Sequence, residues 1–205
     1  VRSPKIDSSM PFELERFFDA CDGAPLKPLT ESRCAAVALI FVDGADGHEL
    51  CFVKRQVYPG DPWSGQMALP GGKRTPEDTT PHDVAKREAF EEVGITLSDA
   101  DLVGMMPRMT AGAGGVREPL PVYPVLYRLH GPGPRITIGD ELAEGHWISL
   151  RHLWNRENWS SMEWRGGEFA GIQHGERVIW GFTLSLLTRL ADIAEAPISD
   201  VYNYI

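Results

Sequence analysis

Residues 71–95 read Gly71-Gly72-Lys73-Arg74-Thr75-Pro76-Glu77-Asp78-Thr79-Thr80-Pro81-His82-Asp83-Val84-Ala85-Lys86-Arg87-Glu88-Ala89-Phe90-Glu91-Glu92-Val93-Gly94-Ile95. The second half of this stretch is a helix with marked ends. Thr79 or Thr80 can cap its start, Pro81 suits the first turn, and Gly94 suits a left-handed stop. Ala85, Ala89 and Val93 recur at i, i+4, i+8 and form an apolar stripe. Glu88, Glu91 and Glu92 stand at i, i+3, i+4 and so share one helical face. Carboxylates crowded to ~4–5 Å cost about 3–4 kcal/mol per pair at an effective dielectric near 20. A hard divalent cation with a preference for oxygen ligands offsets such a cost. The competing reading is a solvated acidic face, partly paired by Lys86 and by Arg87, which stands four residues before Glu91.

Outward from this helix the chain alternates short apolar runs with turns. Residues 35–42 (AAVALIFV) read as a buried strand, 42–49 as a Gly/Asp turn, and 50–55 (LCFVKR) as a returning strand, together a hairpin. Residues 56–72 are loop, punctuated by Pro and Gly. Strands are expected at 101–107 and 121–129, joined by a Gly-rich connection (TAGAGG), and at 144–150, leading into a short helix. After a polar stretch, ERVIWG reads as a strand and 182–194 as a final amphipathic helix. Upstream, 11–22 (PFELERFFDACD) reads as a short amphipathic helix and 1–10 as a loose segment. Strands interleaved with few helices point to one mixed sheet covered by helices, in a single domain over 11–205.

The chain has 205 residues and a formal net charge of -9. That balance argues against a nucleic-acid partner, which would need a basic stripe. It leaves a phosphate-bearing small molecule open, because a bound cation reverses the local field. No apolar run approaches the ~18 residues of a membrane span, and the first ten residues carry no apolar signal core. Cys21, Cys34 and Cys51 form no CxxC pair, which fits reduced thiols in a cytoplasmic protein.

The stretch 71–95 resembles the Nudix box. That signature runs Gly, five residues, Glu, seven residues, then Arg-Glu-apolar-any-Glu-Glu-any-Gly-apolar. Arg87 to Ile95 matches in full, with Ala89 as the small apolar residue. The first half departs: Gly72 to Arg87 is one residue longer, and Asp78 stands where Glu is expected. The resemblance implies an α+β fold, an α/β/α sandwich with a mixed β-sheet between helices and a loop-helix-loop box. It implies Mg2+ (or Mn2+) held by Glu88, Glu91 and Glu92 with Gly72, and Arg87 bracing the loop through an acidic residue, Asp78 or Glu77. A further acid is expected from Asp140, Glu141 or Glu144, with Glu141 preferred, so that Arg87, Glu88, Glu91, Glu92 and Glu141 form the expected catalytic set.

The upstream run from Val53 to Gly72 is similar to the coenzyme A diphosphatase branch of this family in Arg55, Gly65, Gln66, Leu69, Pro70, Gly71 and Gly72, and in the lengthened box. The closing VIWGFTLSLL is similar as well. Two features depart: Arg55 to Gly65 is one residue longer, and Asp61 falls where that branch carries a second Arg. The substrate residues implied are Arg55, Gln66, Gly71, Gly72 and Lys73. The reaction implied is hydrolysis of a diphosphate bond in coenzyme A or a derivative. ADP-ribose, NADH and a modified nucleoside triphosphate are the alternative substrates, and a non-catalytic nucleotide-binding module is the alternative role. The expected partner is a small nucleotide, with no nucleic acid and no membrane, and a homodimer is allowed. His82 reads as a surface residue near the helix start. Trp63, Trp147 and Trp180 are candidates for stacking on a base, with core the better reading for Trp147 and Trp180.

Overall fold

The computed structural model describes Phe18 and residues 28–60, 63–112 and 118–193. The helix expected at 11–22 lies, apart from Phe18, outside the described residues, as do the loose segment 1–10, Cys21, Asp61 and most of the Gly-rich connection after Thr110. Along the described chain run β1 (Ala35–Gly44), β2 (Gly47–Arg55), β3 (Met67–Ala68), β4 (Gly71–Lys73), α1 (Pro81–Val93), β5 (Leu102–Met105) and β6 (Met109–Ala111). Then follow β7 (Leu120–Arg128), β8 (Leu142–Ser149), α2 (Leu150–Trp154), β9 (Trp159–Trp164), β10 (Gly167–His174), β11 (Arg177–Trp180) and α3 (Gly181–Ile193).

β1 and β2 form the expected hairpin, in register from Phe41–Leu50 to Gly44–Gly47. Beyond Phe41 the two arms part. β4 pairs with the free half of β1 (Val37 opposite Gly71), and β3 pairs with the free half of β2 (Val53 opposite Ala68). The loop expected over 56–72 therefore ends in two short strands wedged into the open hairpin. β7 runs parallel to β1, β8 pairs antiparallel with β2, and β5 and β6 pair with β7. The sheet is mixed, as expected.

Strand alternation sorts the core into two layers. Ala36, Ala38, Ile40, Cys51 and Val53 pack against Val84, Ala85, Ala89 and Val93 of α1. Leu39, Phe41, Leu50 and Phe52 pack on the other face against Phe18, α2 and Leu184, Leu186, Leu187 and Leu190 of α3. The result is an α/β/α sandwich in the α+β class. The alanines of α1 are fully buried and let the helix backbone approach the sheet closely.

The polar stretch before β11 is a correction to the sequence reading. Residues 159–180 form a separate antiparallel sheet ordered β11-β10-β9, with turns at Arg165-Gly166 and Gly175-Glu176. Ile172 and Ile179 anchor it to the α3 layer. An ion cluster also ties it to the main sheet. Glu144 of β8 accepts from Lys54 of β2 at 2.9 Å, from His146 at 2.9 Å when that ring nitrogen carries the proton, and from Arg177 of β11. Among the described residues, no helix is long and apolar enough to cross a membrane.

Two outcomes are expected. Ala89→Leu should overpack the seam between α1 and the sheet and cost about 1–3 kcal/mol, read as a lower urea midpoint with unchanged slope. Partial burial alone would raise the Glu144 carboxyl, but the bonds from Lys54, Arg177 and His146 prevail and hold it down at about 2, against an ordinary 4.5. Its stabilisation is thus present above about pH 4.5 and is lost as pH falls toward 2. Glu144→Gln should lower the midpoint most at pH 6, and the gap to wild type should narrow steadily toward pH 3.

Candidate active site

α1 starts and stops as its sequence dictates. The Thr80 hydroxyl accepts from the Asp83 N–H at 3.2 Å, and the Asp83 carboxylate accepts from the Thr80 N–H at 2.8 Å, a reciprocal capping box. Gly94 takes a left-handed φ of 69°, and its N–H turns back to the Phe90 carbonyl at 3.0 Å. A residue with a Cβ is disfavoured there. These ends set which residues of α1 face the β3–β4 turn.

Arg87 is the hub. One terminal nitrogen donates to the Lys73 carbonyl at 2.9 Å and to Asp78 at 3.1 Å. The other donates to Glu88 at 2.8 Å and to Glu91 at 3.0 Å. Asp78, only 5% exposed at its side chain, also accepts from the Thr75 N–H at 2.8 Å. Burial works to raise the Asp78 carboxyl, but Arg87 and Thr75 hold it below its ordinary range. The acidic partner of Arg87 is therefore Asp78, not Glu77.

The three glutamates of the box are not equivalent. Glu88 is 14% exposed and lies against the Gly72 backbone so closely that a Cβ on Gly72 would collide with its carboxylate. Glu92 is partly buried and accepts from the Gly71 N–H at 2.9 Å. Burial pushes the Glu92 carboxyl up to about 7; the Gly71 bond opposes this, the charge of Glu88 adds to it, Arg55 pulls down and Glu141 pushes up. Burial raises the Glu88 carboxyl too, against the pull of Arg87. Glu91 is different: its carboxylate, 56% exposed, is held on Arg87. Glu88 and Glu91 thus share Arg87, while Glu92 turns to the Gly71 backbone. Among the described residues no three His, Cys, Asp or Glu side chains are gathered closely enough to hold a metal ion. Locally, one Arg87 nitrogen is shared by Glu88 and Glu91, and the Glu92 carboxylate is taken by the Gly71 N–H.

The donor chemistry nonetheless suits a hard cation. Glu88 and Glu92 are two desolvated carboxylates that repel each other beside a Gly-Gly turn, and both offer oxygen donors.

The other expected residues divide. Gly71, Gly72 and Lys73 form β4 beside Glu88 and Glu92. Arg55 closes β2, and both it and Glu141 act on the Glu92 charge. Glu141 is exposed, and its carbonyl accepts from the Gln56 N–H at 3.0 Å. Glu144 is turned away into its ion cluster with Lys54 and Arg177. Gln66 sits at the start of β3, beside a cleft on the α3 side of the sheet. His82 is a correction: it is buried, not on the surface. One ring nitrogen meets the Tyr127 hydroxyl at 2.8 Å and the other meets Asp99 at 2.9 Å, so it braces α1 against β7. Trp147 is partly buried beside the α1 layer and donates to the Pro134 carbonyl at 3.0 Å. Trp180 is half-buried on the cleft rather than in the core, with Trp164, which the sequence reading missed. Their signal was the pair of turns, Arg165-Gly166-Gly167 and Gly175-Glu176, that bound short runs of residues.

Removing Arg87 should free the loop and the helix together. Arg87→Ala is expected to speed amide exchange across residues 72–80 while leaving β7 protected. Unchanged exchange in the loop would assign Arg87 another role.

A sequence model of the NUDIX domain matches residues 32–164, more than half of the chain. The Nudix hydrolase NudL of Yersinia enterocolitica is 27% identical over 137 residues, covering 62% of this chain and 65% of that protein. Nudix hydrolase 22, chloroplastic, of Arabidopsis thaliana is 26% identical over 167 residues, covering 78% and 54%. The chain thus spans between half and two thirds of the length of these relatives. Two solved structures share the fold alone. A MutT/nudix family protein from Enterococcus faecalis superposes with TM-score 0.56 at 16% identity, covering 88% of this chain and 67% of that one. The NUDIX domain of Shewanella oneidensis NrtR, solved with ADP ribose, gives 0.53 at 13%, covering 80% and 89%. With the box on a capped helix, its Arg87 hub in place and the domain matched over most of the sandwich, the chain belongs to the Nudix family.

Proposed function

We propose that this protein is a Mg2+- or Mn2+-dependent hydrolase that cuts a diphosphate bond in a nucleoside diphosphate joined to a second group, with coenzyme A or a derivative as its leading substrate. One observation carries the reading: Glu88 and Glu92 are desolvated together against the Gly71-Gly72 turn, and their carboxyls are raised by that burial. A bound cation would offset the cost of that pair. Family membership and the names of the hydrolase relatives support the same activity.

In this reading Glu88, Glu91 and Glu92 would hold the metal together with Gly72. When bound, it would neutralise phosphate charge and lower the pKa of a coordinated water. Arg55, which acts on the Glu92 charge, would bind phosphate oxygens, and Lys73, next to Gly72 in β4, would add a second cation. Glu141 is exposed next to Glu92 and is the residue we assign to accept the proton of the attacking water at a carboxylate oxygen. Arg87 keeps Lys73, Asp78 and Glu88 in fixed relation, so its part is positioning. Coenzyme A is preferred because the Gln66 to Gly72 run and the lengthened box resemble that branch. The buried free thiols Cys34 and Cys51 accord with a reducing, cytoplasmic setting.

The test is a panel of coenzyme A, ADP-ribose, NADH, diadenosine polyphosphates and oxidised dGTP, with Mg2+ and with Mn2+, identifying both products. Coenzyme A should yield an adenosine-bisphosphate fragment and a phosphopantetheine fragment. Rapid cleavage of another member with coenzyme A untouched would remove the branch assignment. Glu92→Gln should lose at least about 100-fold in turnover on the best substrate with the fold retained. Near-normal turnover in that variant would contradict the mechanism.

A further inference from the structure

We infer that the cleft between the β2–β3 rim and the three-stranded sheet is a binding site for the planar ring of the nucleotide, an inference that rests on the proposed hydrolase reading and deepens it. The cleft holds about 290 Å3, close to the smallest volumes of small-molecule sites, and is lined by Lys54, Gln66, Met162, Trp164, Arg177 and Trp180 among others. Its apolar wall is aromatic. The Trp164 and Trp180 rings lie 5.3 Å apart at 58°, and both are half-buried. Arg165 covers one side of Trp164, its guanidinium 4.6 Å from the ring centre, which fixes that indole in place.

Charge decides what the cleft can take. Lys54 and Arg177 line it, but both are engaged by Glu144, and Glu176 adds a further acid at the mouth. Two cations facing two acids leave no surplus positive charge for a phosphate. The combination of stacking surface, Gln66 and balanced charge suits an uncharged heteroaromatic ring, which any nucleobase supplies.

Position links the cleft to the acidic site. Lys54 and Arg55 are consecutive at the end of β2, where strand alternation sends their side chains to opposite faces. Arg55 acts on Glu92, while Lys54 lines the cleft. A substrate lying across this sheet edge would set its diphosphate beside Glu88 and Glu92 and its base between Trp164 and Met162. The three-stranded sheet, which begins near the end of the matched NUDIX segment, thereby gains a role in choosing the substrate.

The test is calorimetric titration of AMP, with ribose 5-phosphate as the ring-free control, both without metal. It compares wild type, Trp164→Leu and Met162→Trp, each checked for native circular dichroism. Wild type should bind AMP and not the control. Trp164→Leu, which removes stacking surface, and Met162→Trp, which fills the cleft, should each weaken AMP binding roughly 10-fold or more. No AMP binding by wild type, equal binding by all three proteins, or equal binding of the ring-free control would overturn the inference. If a diphosphate is hydrolysed while the variants bind AMP as wild type does, the cleft assignment fails and the hydrolase stands. If the variants lose AMP but wild type hydrolyses no member of the substrate panel, the hydrolase reading fails and the cleft stands.

Discussion

The guanidinium of Arg87 is the contact on which the site depends. It joins the loop, through Lys73 and Asp78, to the helix, through Glu88 and Glu91. Its planar fork can satisfy several oxygens at once in a way that a lysine could not. Because Asp78 is buried and also tied to Thr75, the loop cannot move without breaking charged hydrogen bonds in a partly desolvated place. Glu88 and Glu92 are thereby set against the backbone of the Gly71-Gly72 turn, while Glu91 stays exposed on Arg87.

That turn is where the fold does its part. The β1–β2 hairpin opens after Phe41, and β4 slips alongside β1 with Gly71 opposite Val37. A Cβ on Gly71 would strike the Ala36 carbonyl, and one on Gly72 would strike Glu88. Only glycine permits both approaches, so the Gly-Gly pair is set by packing as well as by any chemistry. Small alanines on α1 complete the arrangement by bringing the helix down onto β1. The acidic site and the aromatic cleft thus share the end of β2 while lying on opposite faces of the sheet.

Much of this was legible in the sequence, for reasons that differ by segment. α1 could be read to within a residue because its caps are chemical signals and its alanine stripe has a helical period. The hairpin was legible because two apolar runs, 35–42 and 50–53, flank a Gly/Asp turn. β9 and β10 were not, because their stretch (Trp159–His174) is rich in Ser, Glu and Gly and shows no clean alternation; its sheet is stapled by Glu144 and by ring contacts made far along the chain. Spacing placed Glu88, Glu91 and Glu92 on one face, but it could not say that Arg87 would hold Glu88 and Glu91 together while Glu92 turns to Gly71. His82 misled because a polar residue in a helical first turn is usually solvated, whereas Tyr127 and Asp99 arrive from distant segments to satisfy it. Asp78 was marked as a departure from the family pattern. The structure makes it the partner of Arg87, so the shorter acid on a longer loop reaches the same kind of contact.

In the proposed reading, burial of Glu88 and Glu92 against Gly71 and Gly72 prepares a seat for a divalent cation. The direct measurement is calorimetric titration of the purified protein with Mn2+ alone, beside Glu88→Gln and Glu92→Gln variants of confirmed fold. Wild type should show saturable uptake, and each variant should lose at least about 10-fold in affinity, as removal of one anionic oxygen ligand demands. Absence of saturable uptake by the wild type, or uptake unchanged in both variants, would contradict that reading.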